Sequence, residues 1–160
     1  MAGASANHNR IALNFCRRFP LEIQEQFYEV FMSDMRLWLP FHQSYTYPDV
    51  MVVAGEPDFT DRKQTALTNP ILIGEILSDS TEGYDKSDKF RLYRSLPQFQ
   101  EYLLFDQRDY RVEQFTRLAN SQLDQNQWLM TEVQGEAATL SLKSAPVTLG
   151  LKDLHQRVQF

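Results

Sequence analysis

Apolar and polar positions change rhythm several times along the chain, and each change marks an element. Over residues 8–19, "HNRIALNFCRRF", Ile11 and Phe15 recur at helical spacing with Leu13 and Phe19 beside them, which predicts a helix capped by Ser5 or Asn7. Pro20 interrupts it, and 21–26 reads as loop or a short helical turn. Residues 28–40, "YEVFMSDMRLWLP", are rich in β-branched and aromatic residues and predict a strand that bends near Ser33 and Asp34. A second strand is expected over 44–55, "SYTYPDVMVVAG", with Pro48 at its entry, and a polar surface loop over 56–70. "ILIGEILS", residues 71–78, is the third strand; from Ile71 to Leu77 it is apolar except at Gly74 and Glu75.

From Asp85 to Ser95 the pattern is helical again, with Phe90, Tyr93 and Leu96 facing inward and Pro97 as the stop. "QEYLLFDQ" (100–107) is a further strand. Segments 110–118, 128–134 and 138–143 read as alternating strands joined by turns, and 151–158 as one or two helical turns. The strand, helix, strand step over 71–105 implies a right-handed crossover between parallel neighbours. The expected fold class is α/β or α+β, a mixed central sheet flanked by helices with a β-rich C-terminal extension, in a single domain over 1–160.

Composition narrows this picture. The chain has 160 residues, enough for one domain with a real core, and 42% hydrophobic against 23% charged residues is ordinary for a soluble globular protein. Apolar runs are strand-sized and the start, "MAGASANHNR", has no apolar signal core, so a cytoplasmic location with no membrane partner is expected. The single cysteine, Cys16, has no partner for an internal disulfide and alone makes no zinc site; it reads as a small buried hydrophobe. A net charge of −5 and a pI near 5.2 weigh against tight non-specific DNA binding but leave room for a local basic surface. Arg10, Arg17 and Arg18 cluster near the start, and Lys86, Lys89, Arg91 and Arg94 after the third strand; each group alone reads as a solvated helix face.

Charge inside the third strand demands an explanation. A buried carboxylate such as Glu75 must neutralise, pair with a cation or bind a metal. Asp49 follows Pro48 at the start of the preceding central strand. If the two strands pair, both groups reach one edge of the sheet and can hold a divalent cation; Mg²⁺ suits such oxygen ligands, and the backbone carbonyl of Ile76 can supply a third oxygen. A metal there activates water and stabilises charge on a phosphate, and a nearby lysine can orient the nucleophile or stabilise the transition state. Lys89 is the candidate, four residues past Asp85 and so on the same helix face. The competing reading is a plain ion pair between Glu75 and Lys89 or an arginine.

The residues themselves carry a resemblance. "YPDVMVV" followed by "PILIGEILSDSTEGYDKSDKFRLYRSLPQFQEYLLFDQ" resembles the PD-(D/E)XK nuclease superfamily, in its Uma-type branch of restriction endonuclease-like proteins. The matching residues are Tyr47-Pro48-Asp49, Glu75 with Leu77-Ser78, Ser80-Thr81, Asp85, Lys89, Tyr93 and Glu101-Tyr102, and "SDMRLWLP" and "SANHNRIALN" are similar to earlier family segments. The resemblance implies a restriction-endonuclease-like core and Mg²⁺- or Mn²⁺-dependent hydrolysis of phosphodiester bonds in DNA, with Asp49 and Glu75 as metal carboxylates. The superfamily places its lysine two residues after the glutamate, where this chain has Leu77; the resemblance implies that Lys89, on the following helix, replaces it. Related chains carry roughly 20–40 further residues before this start, so a segment that packs on the core is expected to be absent here, and dimerisation can cover the surface it leaves.

Around these three residues several roles stay open. His8 matches a recurrent family histidine and is either a helix-start residue or a base. Tyr93 is one helical turn past Lys89, placed for packing or to bring its hydroxyl to the site. Asp85 either caps its helix or orients Lys89. Lys86 reads as solvated, with a reserve role if Lys89 points away. His42 and His155, in loop and tail, lack ligand spacing, and Trp38 and Trp128 read as packing residues, since base stacking needs an exposed groove. The expected function is a metal-dependent endonuclease acting on DNA as a homodimer; the alternative is a non-catalytic nucleic-acid-binding or dimeric interaction module that keeps the fold.

Overall fold

The computed structural model describes residues 4–79, 83–119 and 126–160. The first helix, α1 (Ala6–Arg18), is capped by Ser5, whose hydroxyl accepts the His8 N–H at 3.0 Å. Ile11, Ala12 and Phe15 form its buried stripe. Arg17 and Arg18 close its last turn, where cations suit the helix dipole. They are more than a solvated face: both guanidinium groups donate to Gln156 Oε1, at 3.2 and 2.7 Å, and tie the helix to the C-terminal segment.

Segment 21–26 is not helical. It forms β1 (Glu22–Ile23) and enters β2 (Gln26–Met32) through Gln24 and Glu25, both at positive φ, the conformation of a two-residue hairpin turn. The expected bent strand over 28–40 is two strands in different sheets. A turn closed by Met35 N–H to Met32 O at 3.0 Å separates β2 from β3 (Arg36–Leu39). Segment 44–55 divides likewise into β4 (Ser44–Thr46) and β5 (Val50–Ala54), because Pro48 between them has no N–H to continue a ladder. The predicted loop 56–70 contains β6 (Ala66–Leu67), fully buried and parallel to β3. The remaining strands are β7 (Leu72–Leu77), β8 (Glu101–Asp106), β9 (Arg111–Arg117), β10 (Trp128–Gln134), β11 (Thr139–Ser141) and β12 (Thr148–Gly150).

A seven-stranded sheet runs in the order β1-β2-β5-β7-β8-β9-β10, with a three-stranded sheet β4-β3-β6 and a hairpin β11-β12. Only β7 and β8 are parallel within the large sheet. Their crossover carries a π-helical turn, Tyr84–Lys89, running into α2 (Phe90–Tyr93), in place of the expected α-helix over 85–95. The class is α+β.

Alternation along β5 and β7 divides the core in two. Val50, Val52, Leu72 and Ile76 face α1, β12 and α3 (Leu151–Leu154). Met51, Val53, Ile73 and Leu77 face the π-turn, α2 and the three-stranded sheet, where Tyr93, Tyr102 and Phe99 pack ring to ring. Gly74 is required by close approach: a Cβ there meets Val50 Cγ2 at 2.6 Å and Phe105 Cε2 at 2.9 Å. The tail is locked to the sheet by Glu101, which is fully buried and accepts the Lys143 and Ser144 N–H groups, the Ser144 hydroxyl and the Gln114 amide. His155 is no loose tail residue; it is buried between the carbonyls of Leu151 and Asp106. Cys16 packs against the α1 side of the core, and burial pushes its thiol up to about 11, so it is no thiolate nucleophile near neutral pH.

Candidate active site

Register brings the two acidic residues together. Val50 pairs with Gly74 in antiparallel β5 and β7, which sets Asp49, just before β5, across from Glu75. The Asp49 N–H donates to Glu75 Oε2 at 3.3 Å, and Asp49 Oδ2 accepts the Ile76 N–H at 2.8 Å. Each carboxylate is therefore held by the other's strand. Ile76 meets Asp49 through its N–H; its carbonyl as a metal ligand remains a proposal.

Glu75 is almost fully buried and points to the face covered by the π-turn and α2. There its Oε1 accepts the Tyr93 hydroxyl at 2.7 Å and lies 3.1 Å from Lys89 Nζ. Lys89 is the last residue of the π-turn, and short π segments recur at functional sites. Its ammonium also stands 5.6 Å over the ring of Tyr84, inside the range of a cation–π contact. Burial, reinforced by the Glu75 charge, pushes the Tyr93 phenol well above its ordinary range. Tyr93 thus keeps its proton and donates it to Glu75, so it both packs and touches the site.

From the opposite face of the sheet, α1 delivers His8, with Nε2 3.1 Å from Asp49 Oδ2. Among the described residues the ring's Nδ1 is buried without a hydrogen-bond partner. Burial raises the Asp49 carboxyl, but the bonds from His8 and the Ile76 N–H outweigh it, leaving the group below the usual carboxylate value. Oδ2 carries both of these partners.

This donor set fits a hard divalent cation. Two carboxylates from neighbouring strands meet, and Asp49 and Lys89 keep 18% and 17% of their side chains exposed. Among the described residues no group of three or more His, Cys, Asp or Glu is arranged as a metal cage. That excludes nothing for Mg²⁺, which keeps several waters and takes one or two carboxylates.

The other candidates lie elsewhere. The side chain of Asp85, and residues Ser80 and Thr81, are outside the described residues. Lys86 is not simply solvated: Nζ lies 3.0 Å from Oε1 of the buried Glu113 on β9. Glu113 is in the same sheet row as Glu75, with Leu104 between them, so the two lysines of one π-turn engage two carboxylates of one row. The sequence reading missed this pair and Tyr84; the spacing of Lys86 and Lys89 was visible, but their acceptors depend on strand register. Leu77, at the superfamily's usual lysine position, is buried against α2 and the aromatic cluster. Trp128 packs on Phe90 and Phe99 as expected of a packing residue. His42 sits edge-on to Phe41, away from any carboxylate ion pair.

A mixed sheet with paired acidic residues at one strand end and a lysine on the crossover defines a restriction-endonuclease-like protein. Residues 1–152 match the model of the Uma2 family, described as "Putative restriction endonuclease", and the chain belongs to that family. It is 54% identical over 140 residues to the uncharacterized protein sll1609 of Synechocystis sp., covering 88% of this chain and 76% of the relative. A second Synechocystis protein, the uncharacterized slr1290, is 32% identical over 161 residues, covering 100% of this chain and 80% of the relative. The crystal structure of a putative nuclease belonging to DUF820 from Anabaena variabilis superposes with a TM-score of 0.71 over 99% of this chain and 85% of that one. At 15% identity that likeness shows the fold.

Proposed function

We propose that this protein is a divalent-metal-dependent endonuclease that hydrolyses phosphodiester bonds in DNA, with Asp49, Glu75 and Lys89 as its catalytic residues. The observation that carries the reading is the meeting of two carboxylates from neighbouring strands with one ammonium. Asp49 and Glu75, with the Ile76 carbonyl, would hold Mg²⁺ or Mn²⁺. When bound, the ion supplies Lewis-acid stabilisation of phosphate charge and a more acidic water.

The chain's own residues do the rest. Lys89 places a fixed positive charge beside the developing negative charge, at an edge where water is partly excluded. Tyr93 fixes the orientation of Glu75 by donating to Oε1. His8 fixes Asp49 through Oδ2. Asp85 orienting Lys89 stays part of the proposal.

One observation favours a second reading. Lys89 at 3.1 Å compensates Glu75 with no metal at all, as a non-catalytic DNA-binding or dimeric module would require. Plasmid nicking with Mg²⁺ or Mn²⁺ separates the two. The enzyme reading expects nicking by the wild type, abolished by chelator, by Asp49→Ala and by Lys89→Ala. No nicking by the wild type with either metal overturns it.

The remaining parts of the proposal are a homodimer and a cytoplasmic location. The edge strand β10 exposes Leu129 and Met130, which supports pairing of two copies along that edge. Among the described residues no helix is long and apolar enough to cross a membrane.

A further inference from the structure

The three-stranded sheet has an outward face that the site does not use. Along β3, Leu37 and Leu39 are buried while Arg36 and Trp38 between them are half-buried; along β4, Tyr45 is exposed. These outward residues form one cluster. The Trp38 and Tyr45 rings lie 4.6 Å apart, and the Arg36 guanidinium sits 4.6 Å over the Tyr45 ring. Arg36 is pinned in that pose by bonds to the Thr65 carbonyl and hydroxyl.

The cluster leads to the candidate site. Tyr47, 57% exposed, lies two residues after Tyr45 and two before Asp49. Tyr47 and Arg36 also line one cavity of about 580 Å³ together with Phe31, Met35 and Asp34. Aromatic faces, a planar cation and a cavity with room for more than one nucleobase thus adjoin the strand that carries Asp49.

Resting on the nuclease reading, the geometry points to a stacking platform for unpaired nucleobases: Arg36, Trp38, Tyr45 and Tyr47 hold a single-stranded segment of DNA beside Asp49. The charge balance favours this occupant. A chain with net charge −5 is poorly suited to gain affinity by neutralising the phosphates of a duplex. Stacking on aromatic rings and a guanidinium is sequence-tolerant and needs exposed base faces, which a paired strand conceals.

The test measures binding in EDTA, where cutting is off, by fluorescence anisotropy of a labelled oligothymidylate and of the same strand annealed to its complement. The platform expects the single strand to bind more tightly than the duplex. Trp38→Ala and Tyr45→Ala should each weaken single-strand binding roughly 5- to 150-fold. Leu129→Ala, on the distant edge strand β10, should change it little. As a check independent of those alanine variants' folding, a Trp128→Phe protein, with Trp38 as its only tryptophan, should show quenched emission on adding the strand. Unchanged affinity in both alanine variants, preference for the duplex, or unquenched Trp38 overturns the platform. So does a dimer that Trp38→Ala splits while DNA binding persists, since the face would then join two copies. Failure of the nuclease reading looks different: wild-type protein that cuts neither DNA form with Mg²⁺ or Mn²⁺.

Discussion

Glu75 and Glu101 are buried glutamates on neighbouring parallel strands, and their surroundings differ completely. Glu101 is closed off: its acceptors are used by N–H and O–H groups of the tail and by Gln114. Glu75 faces an ammonium, a phenol and a second carboxylate's strand on the covered face of the central strand β7. Burial of a carboxylate is therefore no sign of chemistry by itself. Neutral backbone donors make a structural joint, whereas an adjacent acid and a movable cation make a place where charge can be rearranged.

The sharpest way to break this contrast is to exchange the roles by mutation. Glu101→Leu leaves buried N–H groups of Lys143 and Ser144 without an acceptor and should cost about 3–5 kcal/mol in urea unfolding. Nicking per folded molecule should persist. Glu75→Gln should do the reverse. It keeps the shape, lowers nicking about 100-fold or more, and removes the rise in melting temperature with Mn²⁺. If the glutamine protein still nicks DNA at the wild-type rate, Glu75 belongs with Glu101.

A third buried carboxylate, Asp106, extends the comparison to ion pairs. Burial raises it, but Arg108 and Arg111 outweigh this and bring it down to about 2. The folded state then binds fewer protons than the unfolded state between pH 4 and 2. Its contribution is present above the unfolded value and fades as pH falls through the folded one. Acid unfolding of Asp106→Asn should lack that part of the pH dependence. Gly74→Ala should cost about 1–3 kcal/mol by overpacking against Val50 and Phe105, read in thermal unfolding. Smallest is Tyr93→Phe, which should cost about 1 kcal/mol and slow nicking about fivefold, since Lys89 still holds Glu75.

The central elements were legible because their patterns are local. Ile71–Leu77 is unmistakably apolar, so Glu75 stands out, and Pro48 marks Asp49 at a strand entry. The lysine needed the family resemblance as well, because Leu77 holds the usual position. What failed was long-range. The role of Glu101 depends on donors 42 and 43 residues away, and the Lys86–Glu113 pair depends on sheet register. β6 has only two residues, too few to show a period, and owes its existence to pairing with β3. The divisions at Ser33 and Pro48 left residue composition unchanged across them, so two sheets looked like continuous strands.

The parallel pairing of β7 and β8 also fixes where an amine facing Glu75 can come from. A crossover of one hand delivers its helix to a single side of the sheet, and β7 shows that side only its odd-numbered residues. Moving the acid by one position would turn it toward α1, out of reach of any lysine on the crossover. Chain parity, more than distance along the sequence, decides which glutamate a lysine on the crossover can reach.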